Sequence, residues 1–103
     1  MGVYDERPWL ARYRGGGSGH IEPEHPSLVE MFAASVRGGP DRVAVRYFDR
    51  AITLGELDAL SDAFAVALAA RGFAPGDRLA SYLQNVPQAV IAALGTWKAG
   101  GTV

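Results

Sequence analysis

His20, Glu22, Glu24 and His25 set two imidazoles and two carboxylates within a six-residue stretch, a donor set with the chemistry of a divalent-cation site. Pro23 and Pro26 hold that stretch extended, whereas ligation needs donors fixed on a helix or tight turn. A solvated acidic loop is the preferred reading. Gly15 to Gly19, GGGSG, has the composition of a phosphate loop. It carries no lysine, follows no strand and opens no helix, so its amides have no fixed direction in which to meet an anion, and a flexible joint is preferred. Ser27, Thr53 and Ser61 are candidate nucleophiles by type alone. Ser27 and Thr53 are explained by helix capping, and no histidine falls near Ser61 in the inferred elements. Glu56, Asp58 and Asp62 lie in the first turns of a helix, where they complement its dipole. Gln84 and Asn85 sit in a loop at the carboxyl end of a predicted parallel strand, where open α/β sheets place ligands, although Asn85 is equally suited to capping the next helix. No catalytic, cofactor-binding or metal-binding residue is assigned.

The elements that would position these groups are legible in the pattern. Residues 1 to 26 read as an N-terminal arm and flexible loop, with Tyr4, Trp9, Leu10 and Tyr13 set among arginines and Pro8 interrupting any helix. Such aromatics are expected to pack on the parent domain, with contact to a partner or a membrane as the alternative. Ser27 with Glu30 predicts a capping box and a helix whose apolar stripe is Leu28, Met31, Phe32 and Val36, closed at Gly38, Gly39 and Pro40 by a left-handed glycine cap. Val43 to Phe48 predicts a strand, Asp49-Arg50 a turn, and Ala51-Ile52 a short partner strand.

Thr53 with Glu56 repeats the capping box. Leu57, Leu60, Phe64 and Leu68 line one face of the helix that follows, and Ala63, Ala65, Ala67, Ala69 and Ala70 predict close approach to a neighbour. Arg71 in the last turn and Gly72 beyond it end that helix. Ala74 to Asp77 is a tight turn into a strand from Arg78 to Leu83. Pro87 starts a final helix with Val90, Ile91, Leu94 and Trp97 on its buried face, closed by Gly100 and Gly101. Strand, loop, helix and strand again, at Thr102-Val103, is a βαβ unit with a right-handed crossover.

Composition excludes more than it assigns. At 103 residues, with 49% hydrophobic and 20% charged side chains, the chain fits one globular α/β domain. The absence of cysteine removes disulfides, thiolate metal sites and cysteine nucleophiles. A net charge of -1 provides no field toward nucleic acid, and the acidic, interrupted N-terminus is not a signal peptide, so a cytoplasmic location is expected. Lysine occurs once, at Lys98.

Several segments together resemble the N-terminal end of adenylate-forming acyl-CoA synthetases, most of all the long-chain fatty-acid-CoA ligases. YDERPWLARY at 4 to 13 resembles the opening of bacterial long-chain members. SLVEMFAASV and GGPDRVAVRY within 27 to 47, and ITLGELDALSDAFAVAL at 52 to 68, resemble the family's first helix, first hairpin and second helix. GFAPGDRLASYLQNVPQAVIAALGTWKAGGTV at 72 to 103 is similar to its G-D-R, L-x-N-x-P and K-A-G passage. Asp77 and Arg78 match the G-D-R turn and Asn85 the L-x-N-x-P loop, in structural roles, with Asn85 at the rim of a cleft. Val86 stands where the family often has a small residue or serine.

The resemblance implies a fold and an activity. The fold is the N-terminal subdomain of the adenylate-forming enzymes over 27 to 103, three helices with a β-hairpin and a βαβ unit that starts a parallel sheet, expected to be truncated. The implied activity of the parent is that of an acid-thiol ligase. ATP with Mg2+ activates a fatty acid as acyl-AMP, and coenzyme A then takes the acyl group. The chain's partner would be the remainder of the synthetase, with no nucleic acid, and self-association or peripheral membrane contact stays open. The family's phosphate loop, metal motif, hinge aspartate and C-terminal lysine have no counterpart in the 103 residues, so the chain alone is expected to be inactive and to bind no cofactor. Two rivals remain: an adenylating enzyme for another carboxylate, and a stand-alone interaction module using Trp9, Tyr13 and an uncovered sheet edge.

Overall fold

A computed structural model describes residues 1–103. The elements in order are α1 (Val3–Glu6), a 3-10 turn (Pro8–Arg12), α2 (Leu28–Gly38), β1 (Val43–Tyr47), β2 (Arg50–Thr53), α3 (Leu54–Ala70) and α4 (Pro87–Lys98). The chain is α/β, and its helices start where side chains can satisfy free backbone amides. Thr53 Oγ1 accepts from the Glu56 amide at 3.1 Å and Glu56 Oε2 accepts from the Thr53 amide at 2.8 Å, a complete capping box on α3. At α2 only half of that box forms, with Ser27 Oγ accepting from the Glu30 amide at 3.1 Å.

Helix ends are more varied than the glycine pattern predicts. α3 and α4 both close in a Schellman motif: Phe73 N–H bonds to Leu68 O and Gly72 N–H to Ala69 O, and likewise Gly101 N–H to Thr96 O and Gly100 N–H to Trp97 O. Gly72 and Gly100, at φ +89° and +81°, supply the left-handed residue that the motif requires. α2 ends otherwise. Gly38 is its last helical residue and Gly39 caps it at φ −179°, so the expected left-handed cap is absent there.

β1 and β2 pair antiparallel, with Tyr47 opposite Arg50, Arg46 opposite Ala51 and Val45 opposite Ile52, and an irregularity between Val43 and Val45. The turn is Phe48-Asp49, one residue earlier than predicted, because Arg50 is already paired. Phe48 leaves the strand at φ +54° and sets its ring edge-on to Tyr47 at 4.6 Å. The parallel pairing joins Arg78 to Thr102 across the α4 crossover as a single bridge, with Thr102 N–H donating to Asp77 O at 2.9 Å and Leu79 N–H to Thr102 O at 2.8 Å. The predicted strand to Leu83 is therefore not developed. A strand needs a partner along its length, and Thr102 and Val103 offer one only at its start.

The core lies between α3 and α4. Leu57, Ser61, Ala92, Leu94, Gly95 and Thr96 are buried, and no other residue is. The closest approach is Ser61 and Phe64 against Gly95, where an added Cβ would stand 2.7 Å from Phe64 Cδ1 and 2.9 Å from Ser61 O. The five alanines expected to make this approach are not buried. Ser61 Oγ donates to Asp58 O at 3.0 Å and Thr96 Oγ1 to Ala92 O at 2.6 Å, so both buried hydroxyls are satisfied within their own helices.

Lys98 ties the same two helices together. Its ammonium reaches Asp58 Oδ1 at 2.7 Å, Asp58 O at 3.2 Å and Asp62 Oδ1 at 2.6 Å, and stands 5.4 Å from the centre of the Phe32 ring of α2. Burial pushes the Lys98 pKa down, and the hydrogen bonds and charges of Asp58 and Asp62 more than offset this, so it ends above the ordinary lysine value. The sequence reading assigned these carboxylates only to the helix dipole.

Around this core the chain is open. Its radius of gyration is 18.0 Å, against about 13 Å for a compact chain of this length. Its accessible surface is 8039 Å2, against about 5,600 Å2 for a folded monomer of its mass. Leu28, Met31, Leu60, Val90 and Trp97, all expected on buried faces, are exposed because the chain supplies no layer over them. The arm folds on itself instead of packing on the domain: Tyr4 meets Trp9 edge-on at 6.0 Å, and the Leu10 and Tyr13 side chains lie over Gly19 and Gly17.

Two predictions test this core. Gly95→Ala collides with Phe64 and the Ser61 carbonyl and is expected to cost about 1–2 kcal/mol in urea unfolding, whereas Gly38→Ala, whose new Cβ meets nothing, is expected to be neutral or stabilising by about 0.5 kcal/mol. Because Lys98 has a raised pKa when folded, its contribution is fully present below the unfolded-state value and is lost as pH rises through the folded one. Wild-type stability should therefore fall in that alkaline window more steeply than that of Lys98→Met, which at neutral pH should unfold about 1–2 kcal/mol more easily.

Candidate functional site

The residues singled out for chemistry are not brought together. His20 Nε2 pairs with Glu22 Oε1 at 2.5 Å on the solvent side of the arm, and no three His, Asp or Glu side chains in the chain converge as metal donors. Gly15 and Gly16 are exposed at positive φ, and Ser18 Oγ accepts from the His20 amide within the loop. Ser27 and Thr53 are spent on capping. Ser61 is sealed between helices, its proton directed at a backbone carbonyl. Glu56 is spent in the capping box, and Asp58 and Asp62 on Lys98.

The Gly-Asp-Arg turn organises backbone. Asp77 Oδ2 accepts from the Ala74 amide at 2.8 Å while Asp77 N–H donates to Ala74 O at 3.0 Å, which closes the turn from both sides. Gly76 N–H then donates to Gly100 O at 2.9 Å, so the turn is stitched to the end of α4 and to Thr102. Arg78, next in sequence, supplies the parallel bridge, and its side chain enters no ion pair. The loop Gln84-Asn85 lies exposed at the entry to α4. Its cap is Val86, not Asn85, and no side chain accepts the free amides of the first turn. Pro87 at the first helical position removes one of those amides, which lessens the need for a cap.

Beside that entry, Pro87, Gln88 and Ile91 of α4, Leu60 of α3 and Val45 and Ile52 of the hairpin border an open groove of about 730 Å3. Arg50 stands at it, but no second cation converges there. A nucleotide-phosphate site needs amides or cations aimed at one point. These residues do not fit one: the single lysine is folded away onto two carboxylates, and the glycine-rich loop lies in the arm with no helix start behind it. The one charge cluster the sequence reading missed, Lys98 with Asp58 and Asp62, is structural. Its signal was present in the i, i+4 spacing of the two aspartates and in the solitary lysine, but nothing local links positions 40 residues apart.

A long-chain-fatty-acid–CoA ligase of Bacillus subtilis is 33% identical over 103 residues, taking in 98% of this chain and 18% of the ligase. The AMB antimetabolite synthetase AmbB of Pseudomonas aeruginosa is 37% identical over 79 residues, 77% of this chain and 6% of the synthetase. The N-terminal subdomain of NpsA from Klebsiella oxytoca, solved with 3-hydroxyanthranilyl-AMSN, superposes with a TM-score of 0.71 at 29% identity over 75% of this chain and 21% of that one. The chain thus spans about a fifth or less of the length of each of these relatives. The profile of the AMP-binding enzyme family matches residues 32–103. On this match, which takes in more than half of the chain, the chain belongs to the AMP-binding enzyme family.

Proposed function

We propose that residues 1–103 form the N-terminal part of a fatty-acid-CoA ligase, with 1–26 an arm and 27–103 the first α/β subdomain of its AMP-binding domain. The observation that supports this reading is coverage. The fatty-acid ligase similarity extends over 98% of the chain and so includes the arm, whereas that to AmbB takes in 77%. In the parent enzyme ATP, with Mg2+, supplies the adenylate leaving group and coenzyme A the accepting thiol. A cytoplasmic location goes with that reading, since both cosubstrates are held there. No helix of the chain is long and apolar enough to cross a membrane.

The chain's own residues act before any chemistry. The Asp77 turn and the Arg78–Thr102 bridge start the parallel sheet, and the Gln84-Asn85 loop leaves it at the edge where such sheets place ligands. The remainder of the synthetase would extend that sheet past Leu79, where exposed Tyr82 and Leu83 await cover. An amino-acid-adenylating domain is the second reading, favoured by the 37% identity to AmbB.

Purified alone, the 103-residue chain is expected to give no fatty-acid-dependent exchange of pyrophosphate into ATP, and exchange above background would overturn the assignment of the chemistry to other segments. The reading frame beyond codon 103 is expected to encode a Thr/Ser/Gly-rich loop ending in Pro-Lys-Gly within about one domain's length, ~100 residues. The chain extended by that frame should then exchange pyrophosphate with fatty acids. Exchange driven by amino acids instead would select the second reading.

A further inference from the structure

We draw no further inference here: the strongest candidate, the apolar groove between α2 and α4 lined by Leu28, Met31, Val90 and Trp97, carries none because nothing in the structure shows what covers it.

Discussion

Two helices in this chain come so close that one methyl group on Gly95 would run into Phe64 and the Ser61 carbonyl, and everything else is arranged around that approach. The contact sets the positions of Leu57, Leu94 and Thr96, which make up much of the buried interior. It also brings Lys98 within reach of Asp58 and Asp62, so that a cation from the end of α4 meets two carboxylates near the start of α3. Packing and charge reinforce each other at this point. Lys98 is largely covered while Asp58 and Asp62 keep contact with water, so the ion pairs are partly screened, yet they still resist separation of the two helices.

From the same contact the chain runs outward into the sheet. The Schellman ends of α3 and α4 place Phe73 and Gly101 against one another, the Asp77 turn closes beneath them, and Thr102 arrives beside Arg78 to begin a parallel pair. Each step is a backbone bond made possible by the one before. The scaffold is therefore well determined at the α3–α4 seam and along the crossover, and open on the α2 side and beyond Leu79, where apolar side chains face water. Every candidate donor of the chain is engaged in a cap, a turn, a helix carbonyl, the Lys98 cluster or the His20–Glu22 pair, or stands alone in solvent.

Much of this was legible in the residues because it depends on near neighbours in sequence. The S/T-x-x-E spacings marked the starts of α2 and α3, Pro87 the start of α4, and Gly72 and Gly100 the ends of their helices, since a cap is a contact made within a few residues. The family's G-D-R and L-x-N-x-P passages were likewise readable as a turn and a loop. Errors arose where an outcome depends on a distant partner. Asp49-Arg50 has the composition of a turn, but strand pairing sets register, and pairing Arg50 with Tyr47 moves the turn to Phe48-Asp49. Asn85 could have capped α4 by type, yet the backbone enters the helix at Val86.

From residue 27 onward the sequence by itself determined which segments are helix and hairpin, where the helices begin, and that the crossover is parallel, because capping, periodicity and turn chemistry act over a few residues. Within the arm, read as irregular, the single turn of α1 and the 3-10 turn that starts at Pro8 were missed, being too short to show a period. Only the tertiary structure decided which apolar faces are covered, that Gly95 and not the alanines makes the close approach, and that Lys98 belongs to Asp58 and Asp62. Burial and ion pairing are properties of the space between elements, and that space exists only once α3 and α4 have met.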